Sequence, residues 1–139
     1  DRPSLAKRFR AFGEAEALGV RAIGSIARVE VSRWNPFGRP AAYRVYDDAG
    51  KWWPLSAEQI RLACNASVEG LPSVDATTRV LSGDIEVDAK GDRMEIRGRG
   101  FGHGVGMCQF GAERLAREGR DALWILGHFY PDSGVERAY

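Results

Sequence analysis

The sequence has no long apolar run and no marked excess of charge of either sign. No stretch of its 139 residues approaches the roughly 18 consecutive apolar residues that mark a membrane span, and the first residues, DRPSLAKRFRAF, lack the apolar core of a signal peptide. The formal net charge is +1, and the basic residues are scattered along the chain. This distribution gives no electrostatic argument for nucleic acid or an anionic membrane. We therefore predict neither a membrane span in this chain nor nucleic-acid binding.

Cysteine and histidine are scarce, with two of each. Cys64 and Cys108 are too few to define a disulfide scaffold, so they either form one bridge in an oxidising compartment or remain two independent thiols. Together with His103 and His128 they offer four candidate zinc ligands, but the chain has no C-x-x-C or H-x-x-x-H spacing. We therefore predict no metal and no cofactor.

The hydrophobic patterns predict an α+β fold: one antiparallel, sheet-rich domain with short helices, two of them at the C-terminus. No repeat or composition shift divides the chain. Apolar and polar residues alternate in the strand patterns, and the cluster at 35–38 is expected to turn the chain between the first two strands. The outward charges of the hairpin, from Asp84 on, are expected to pair across its strands. Asp121 is expected to cap the last helix, and Ser56 a helix in which Ile60, Leu62 and Ala63 face inward. The predicted elements are a helix over 4–18 that stops at Gly19, strands within 25–32, 41–47 and 51–53, the helix over 56–64, a loop over 65–78, a hairpin over 84–97 with a four-residue connection at 89–92, and helices over 108–119 and 121–130.

The densest motif is RGRGFGHGVGMCQFG, residues 97–111, with glycine at every second position from 98 to 106. In an extended segment this spacing removes the side chains from one face, so that a backbone or a ligand can approach closely, and leaves Arg99, Phe101, His103 and Val105 on the other. This arrangement suits a groove wall. No G-x-G-x-x-G or G-x-x-x-x-G-K-[ST] spacing occurs, although the helix start after Gly106 can still hold an anion.

The segments GRGFGHGVGMCQFGA and LAREGRDALWILGHFYPDSGVERAY resemble the C-terminal signature of the stage II sporulation protein D and LytB-type amidase-enhancer family. The resemblance implies a bacterial cell-envelope protein, periplasmic or extracytoplasmic, that acts on peptidoglycan glycan strands like a lytic transglycosylase. The family's catalytic glutamate lies in an N-terminal P-x-E-M-type motif, which is absent here. We therefore expect residues 1–139 to be the C-terminal part of such a domain, without its catalytic segment and inactive alone. The first residue, an aspartate instead of a methionine, also suggests a processed product or a fragment.

The resemblance also assigns candidate site residues. The predicted substrate-binding positions match the family motif and are Gly102, His103, Gly104, Gly106, Met107, Cys108 and Gln109. His103 is expected to face solvent and to hydrogen-bond sugar hydroxyls or orient the missing acid, and Gln109 either contacts sugar or holds the glycine loop. If an internal carboxylate were the acid, Glu69 would be the candidate.

Several further positions depart from the family motif or have an alternative role. Cys108 stands where the family more often has serine, and Phe110 where it has tryptophan or tyrosine. His128, at a helix end, is explained by the helix dipole. The four tryptophans, at 34, 52, 53 and 124, are expected to belong mainly to the core, and at most one of them to stack on a sugar ring.

Two functions from different classes follow, together with a structural alternative. The first is the glycan-binding part of a lytic transglycosylase-like domain, completed by the missing N-terminal segment. The second is a non-catalytic envelope module that binds glycan and stimulates a partner cell-wall amidase. In the structural alternative, the glycines serve only tight packing. An upstream P-x-E-M-type glutamate in the full-length gene would favour the first function.

Overall fold

The computed structural model of the protein describes residues 1–104 and 106–136. In that part of the chain, four α-helices and five antiparallel strands in two sheets form a mixed α+β fold with two helices at the C-terminus, which confirms the predicted fold class. The chain divides into two compact units, Asp1–His103 and Gly104–Tyr139. The elements are α1 (Arg2–Ala15), a 3-10 turn (Gly19–Ala22), β1 (Arg28–Trp34), β2 (Pro40–Tyr46), β3 (Trp52–Ser56), α2 (Ala57–Asn65), β4 (Ile85–Lys90), β5 (Arg93–Gly98), α3 (Gln109–Arg117) and α4 (Ala122–Phe129).

Helix α1 ends earlier than the sequence predicts. Ala17 has a φ of +52°, and the Leu18 N–H donates to the Gly13 carbonyl at 2.8 Å, which together form a Schellman-type cap. The expected stop at Gly19 is therefore wrong, and Gly19 begins the 3-10 turn instead. The error has a physical reason, because an alanine occupies the left-handed cap position that glycine usually fills.

Strands β1, β2 and β3 form an antiparallel meander whose inner face is the core of the first unit. The Asn35 side chain closes the β1–β2 turn by accepting hydrogen bonds from the Phe37 and Arg39 N–H groups, at 3.0 and 2.9 Å. The predicted turn and the predicted alternation are both confirmed. The buried residues of the three strands that form the core include Val29, Tyr43, Val45, Trp53 and Leu55.

Helix α2 has the predicted cap but not the predicted inner face. Ser56 accepts a hydrogen bond from the Gln59 N–H at 3.1 Å, and the Gln59 side chain accepts one from the Ser56 N–H at 2.8 Å, which forms a capping box. Ile60 and Ala63 are buried as expected, whereas Leu62 is 40% exposed. The inner face instead continues through Cys64, one turn after Ile60, so the assignment of Leu62 to the core is wrong.

The β4–β5 hairpin is confirmed, but its connection is shorter than predicted. Lys90 pairs with Arg93, which leaves Gly91 and Asp92 as a two-residue turn, with a φ of +62° at Gly91. Ladder pairing thus includes two of the four residues expected in the connection. The outward charges form cross-strand ion pairs, such as Arg97 with Asp88 at 3.3 Å, as the sequence suggests.

The second unit contains α3 and α4, both bounded as predicted. Gly119, with a φ of +84°, follows α3, and the Arg120 N–H donates to the Leu115 carbonyl at 3.0 Å. Asp121 begins α4 by accepting a hydrogen bond from the Trp124 N–H at 2.8 Å. Over the described residues, no helix has the length and apolar character to cross a membrane.

Candidate functional site

The glycine run is not the extended strand that the sequence suggests. Gly100, Gly102, Gly104 and Gly106 have φ values of +74°, +75°, +71° and +82°, in the left-handed region that favours glycine. A Cβ atom at Gly102 would meet no atom within 4 Å, so close approach does not explain that glycine. The prediction of a bare, closely approached face is therefore wrong at Gly102, where the glycine is needed for the backbone conformation. Val105, expected beside His103, lies outside the described residues.

Backbone and side-chain hydrogen bonds hold the part of the run that belongs to the first unit. The Gly102 N–H donates to the Leu81 carbonyl at 2.8 Å, and Gly102 forms a parallel bridge with Ser82. The buried Ser82 hydroxyl donates to the Arg99 carbonyl at 2.5 Å and accepts a bond from the Asp84 N–H at 3.1 Å. These bonds fix the backbone of the residue immediately before His103.

The segment that receives Gly102 is itself held in the core by Tyr43. The phenol oxygen lies 2.7 Å from the Gly83 carbonyl oxygen and accepts a bond from the Ile85 N–H at 3.1 Å. Burial raises the pKa of Tyr43 to about 12. A Cβ atom at Gly83 would lie 2.4 Å from the Ala57 carbonyl oxygen, so glycine is needed there for close approach to the start of α2.

Asp84 forms ion pairs with Arg99 at the start of the glycine run and with Arg39 at the β1–β2 turn. Its carboxylate lies 3.3 Å from the Arg99 guanidinium and 3.7 Å from that of Arg39, and its side chain is only 11% exposed. The pattern of the hairpin suggested an outward-facing charge at Asp84. The structure corrects this interpretation, because the carboxylate is mostly buried between two arginines from separate parts of the chain.

His103 is exposed, as predicted, and it lies near a carboxylate that the sequence did not identify as functional. Glu58, in the first turn of α2, accepts a hydrogen bond from the Arg61 Nε–H at 2.8 Å, and the other guanidinium nitrogen contacts the second carboxylate oxygen. Arg61 lowers the pKa of Glu58 below its ordinary value, and positive charge on His103 lowers it further. Glu58 and Arg61 thus form an ion pair at the surface of the first unit, within electrostatic range of His103.

The rest of the motif belongs to the second unit. The Met107 N–H donates to the Tyr130 hydroxyl at 3.0 Å, and a Cβ atom at Gly106 would lie 3.0 Å from the same oxygen. Cys108 caps α3, since its sulfur accepts a bond from the Gly111 N–H at 3.4 Å. Gln109 is exposed at the start of α3 and makes no side-chain hydrogen bond within the described part of the chain. The predicted site residues therefore divide between the units, with Gly102 and His103 in the first.

The other candidates differ in exposure. Glu69 is exposed on the loop between α2 and β4 and so lacks the buried surroundings that help a carboxyl act as a general acid; its role stays a prediction. Trp53 is buried, whereas the other three tryptophans are exposed. His128 lies in the last turn of α4, and its ring stacks on Trp124 with centroids 5.4 Å apart.

The cysteines are separate thiols, Cys64 buried and Cys108 exposed, which favours the second of the two alternatives considered for them. Over residues 1–104 and 106–136, no group of three or more His, Cys, Asp or Glu side chains is arranged to hold a metal ion.

Glu58, Asp84 and Tyr130 are the residues of interest that sequence reasoning missed. The capping box placed Glu58 at the start of α2, but nothing local in the sequence connects it with His103, 45 positions later in the numbering. Tyr130 was noted only as part of the family signature, without a role for its hydroxyl. For Asp84 and Tyr130 the signal is a contact with a distant segment, with Arg39 and with Met107, and for Glu58 it is electrostatic range of His103.

Comparison with known proteins agrees with the predicted family resemblance. No model of a known protein family matches the chain. Stage II sporulation protein D of Bacillus subtilis (strain 168) is 40% identical to it over 57 residues, and stage II sporulation protein D of Bacillus amyloliquefaciens is 39% identical over 57 residues. Each match covers 41% of this chain and 17% of the relative. The chain thus matches a minor part of either relative, and the two matches confirm the predicted resemblance.

Proposed function

Because its matches to stage II sporulation protein D support placing the chain in that family, we propose that it is the peptidoglycan glycan-binding part of a lytic transglycosylase-like domain of the cell envelope. The location, periplasmic or otherwise extracytoplasmic, is part of the same proposal. The glycan contacts are assigned to the motif residues Gly102, His103, Gly104, Gly106, Met107, Cys108 and Gln109.

The observation that carries the proposal is the placement of His103. The residue before it, Gly102, is hydrogen-bonded to the Leu81 carbonyl and bridged to the buried Ser82, while the imidazole itself is exposed. An imidazole can donate one hydrogen bond and accept another, or donate two when protonated, and these are the bonds that sugar hydroxyls require. A fixed backbone under an exposed ring lowers the entropy lost when a glycan binds.

The acid that cleaves the glycosidic bond is proposed to lie outside this chain, on the missing N-terminal segment of the domain. Glycosidic cleavage needs a carboxylic acid whose pKa is raised so that it can protonate the leaving oxygen. The lowered pKa of Glu58 makes this carboxyl ionised near neutral pH, which is the wrong protonation state for that step. Glu69 is exposed and remains the internal candidate to test.

The test has a binding arm and an activity arm. In the first, the chain should cosediment with purified peptidoglycan, and His103→Ala should weaken binding about two- to tenfold through loss of sugar hydrogen bonds. His128→Ala is the matched control, because it removes the other histidine of the chain. In the second arm, the chain alone should release no anhydromuropeptides. Equal binding by both variants would contradict the role of His103, and robust release would place the acid within the chain, with Glu69→Gln as the next variant.

A second function, a non-catalytic module that stimulates a cell-wall amidase, is favoured by apolar side chains on the second unit. Phe110 is 80% exposed and Leu123 is 63% exposed, which is typical of a surface that contacts another protein. Adding the chain to a purified amidase on peptidoglycan measures this function directly. A higher rate of stem-peptide release, reduced by Leu123→Ser, would support it, and an unchanged rate would contradict it.

A further inference from the structure

A cavity of about 330 Å³ lies in the first unit, between the β4–β5 hairpin and the preceding segment over residues 77–82. This volume is at the lower end of the range of about 300–1,000 Å³ that is typical of small-ligand sites. Gly98 and Gly100, at the start of the glycine run, belong to the wall of the cavity. The cavity therefore adjoins the motif, and its size suits one residue of a longer chain.

The β5 side of the cavity is the open edge of a two-stranded sheet. Opposite residues of an antiparallel pair alternate between those that exchange hydrogen bonds and those that do not. Lys90 and Arg93 flank the two-residue turn, and the Arg99 N–H donates to the Asp84 carbonyl at 3.0 Å, which sets this alternation. In the part of the chain that the structure describes, β5 has no strand partner besides β4. The residues whose N–H and C=O groups point away from β4 are therefore Met94, Ile96 and Gly98, and all three line the cavity.

The same strand also gives the cavity an apolar wall. The side chains of Met94 and Ile96 project from the same face of the hairpin as Ile85, and Val80 lines the cavity from the opposite segment. Met94 and Ile96 are only half-buried at the margin of the core. Arg79 also lines the cavity, and its exposed guanidinium forms no hydrogen bond or ion pair with any residue that the structure describes. Apolar contact, amide groups and one positive charge thus occur together.

We propose that this cavity binds the acetamido group of an N-acetylated sugar residue. The amide hydrogen-bonds to the open edge of β5, the methyl group packs on Met94 and Ile96, and Arg79 donates to oxygens of the sugar. The inference rests on the proposed glycan-binding function for the nature of the chain that carries the sugar, and it adds a second contact site beside the motif. An acetamido group joins one amide to one methyl group, and the cavity offers partners for both.

Two tetrasaccharides that differ only in this group test the proposal on the wild-type chain. Tetra-N-acetylchitotetraose and cellotetraose are both neutral chains of four linked pyranose rings, but only the first carries acetamido groups. NMR titration of the isotope-labelled chain should give a dissociation constant about ten- to fiftyfold lower for the N-acetylated sugar, because one hydrogen bond and one buried methyl group are added. The amides of Met94, Ile96 and Gly98 should shift, and their hydrogen exchange should slow at saturation. Equal affinity for the two sugars, or shifts confined to other parts of the chain, would overturn the proposal.

Two exposed side chains of the cavity provide variants with matched controls. Arg79→Gln should weaken binding of the N-acetylated sugar about two- to fivefold, whereas Arg33→Gln, which also removes an exposed arginine without a described side-chain partner, should not. Leu81→Ser should weaken it by a similar factor, because Leu81 lines the cavity and is 42% exposed. Leu62→Ser, at a leucine of α2 that is 40% exposed, should bind as the wild type does. Unchanged binding by both cavity variants would contradict the assignment of the site.

The proposal and the proposed function fail in different ways. If the chain cosediments with purified peptidoglycan but binds both tetrasaccharides equally, the glycan-binding function stands and the acetamido site fails. If the N-acetylated sugar binds at β5 but the chain does not cosediment with peptidoglycan, the cavity stands as a sugar site and the proposed function fails. If purified stem peptides slow exchange at the β5 amides and the sugars do not, the occupant is an extended peptide added to the strand edge, and the proposal is overturned.

Discussion

A substitution at Gly102 separates the two reasons for which a chain uses glycine. Gly102 has a φ of +75°, and a Cβ atom there would meet nothing within 4 Å. Gly102→Ala therefore adds no clash and only places an L-residue in the left-handed region, which costs about 1–2 kcal/mol. If the sequence-based idea of close approach by a neighbouring group were right, the cost would instead come from contact.

Two other glycines of the first unit provide matched controls. Gly24 has open space around its Cβ position and no positive φ, so Gly24→Ala should stabilise the fold by about 0.4–1 kcal/mol, by restricting the unfolded chain. Gly83 has no positive φ but would place a Cβ atom 2.4 Å from the Ala57 carbonyl oxygen, so Gly83→Ala should cost about 1–3 kcal/mol through the clash. Gly24→Ala thus tests open space, Gly102→Ala tests conformational strain, and Gly83→Ala tests close contact.

Urea unfolding, followed by far-ultraviolet circular dichroism and by the fluorescence of the buried Trp53, measures the free energy of unfolding for all three. Gly102→Ala should be less stable than Gly24→Ala by about 1.4–3 kcal/mol, the sum of the strain and the entropy gain. Equal stability of these two variants would refute the conformational account of the run. If Gly102→Ala lost more stability than Gly83→Ala, the loss would indicate a clash with a neighbouring atom, whereas the structure shows open space at Gly102.

Three further predictions concern hydroxyl and thiol groups. Because burial raises the pKa of Tyr43 from 10.0 to about 12, the unfolded state loses its proton first; stability should therefore fall as the pH rises from 10 towards 12, and Tyr43→Phe should flatten this slope in urea titrations. Tyr130→Phe removes the hydroxyl that accepts the Met107 N–H, so hydrogen exchange at that amide, followed by NMR, should accelerate. In the same variant, the fall in stability above pH 10 that depends on Tyr43 should be unchanged. Cys108 should react with a thiol reagent in the native protein, whereas Cys64, whose pKa burial raises to about 12, should react only after unfolding; two reactive thiols in the native state would contradict this.

The elements that the sequence predicted well carry their own local signals. The alternation in β1 and β2, the Asn35 turn, and the caps at Ser56 and Asp121 each depend on residues within a few positions of one another. Such interactions are formed by the segment itself, so a pattern of residue types suffices to identify them. The same is true of Gly119 after α3, where glycine fills the usual cap position.

The errors in the fold prediction occur where the local sequence pattern is compatible with two structures. The sequence predicts that α1 stops at Gly19. In the structure Ala17 has the left-handed conformation instead, and the helix ends before it. Leu62 and Cys64 both fit a helical apolar face, and contact with the core selects Cys64. At the hairpin, two-residue and four-residue connections are both compatible with the strand pattern, and pairing of Lys90 with Arg93 selects the shorter one.

The candidate site could be predicted only in part, for a related reason. The motif identified His103, and its flanking glycines correctly argued against a core position. The partners of that segment come from elsewhere in the chain: Asp84 pairs with Arg39 from the β1–β2 turn, and the Glu58 carboxylate of α2 lies within electrostatic range of His103. No spacing rule connects residues so far apart, and contacts such as Gly83 against Ala57 and Ser82 with Gly102 form only in the folded chain.

The division of the motif between two units has a consequence for interpreting variants. The backbone before His103 is fixed by Leu81 and Ser82, both in the first unit, whereas Met107 is held by Tyr130 within the second. Each half of the motif is therefore anchored by its own unit. A loss of glycan affinity in Tyr130→Phe that leaves hydrogen exchange at the Gly102 amide unchanged would assign a binding contribution to the second half alone. An unchanged affinity would contradict such a contribution.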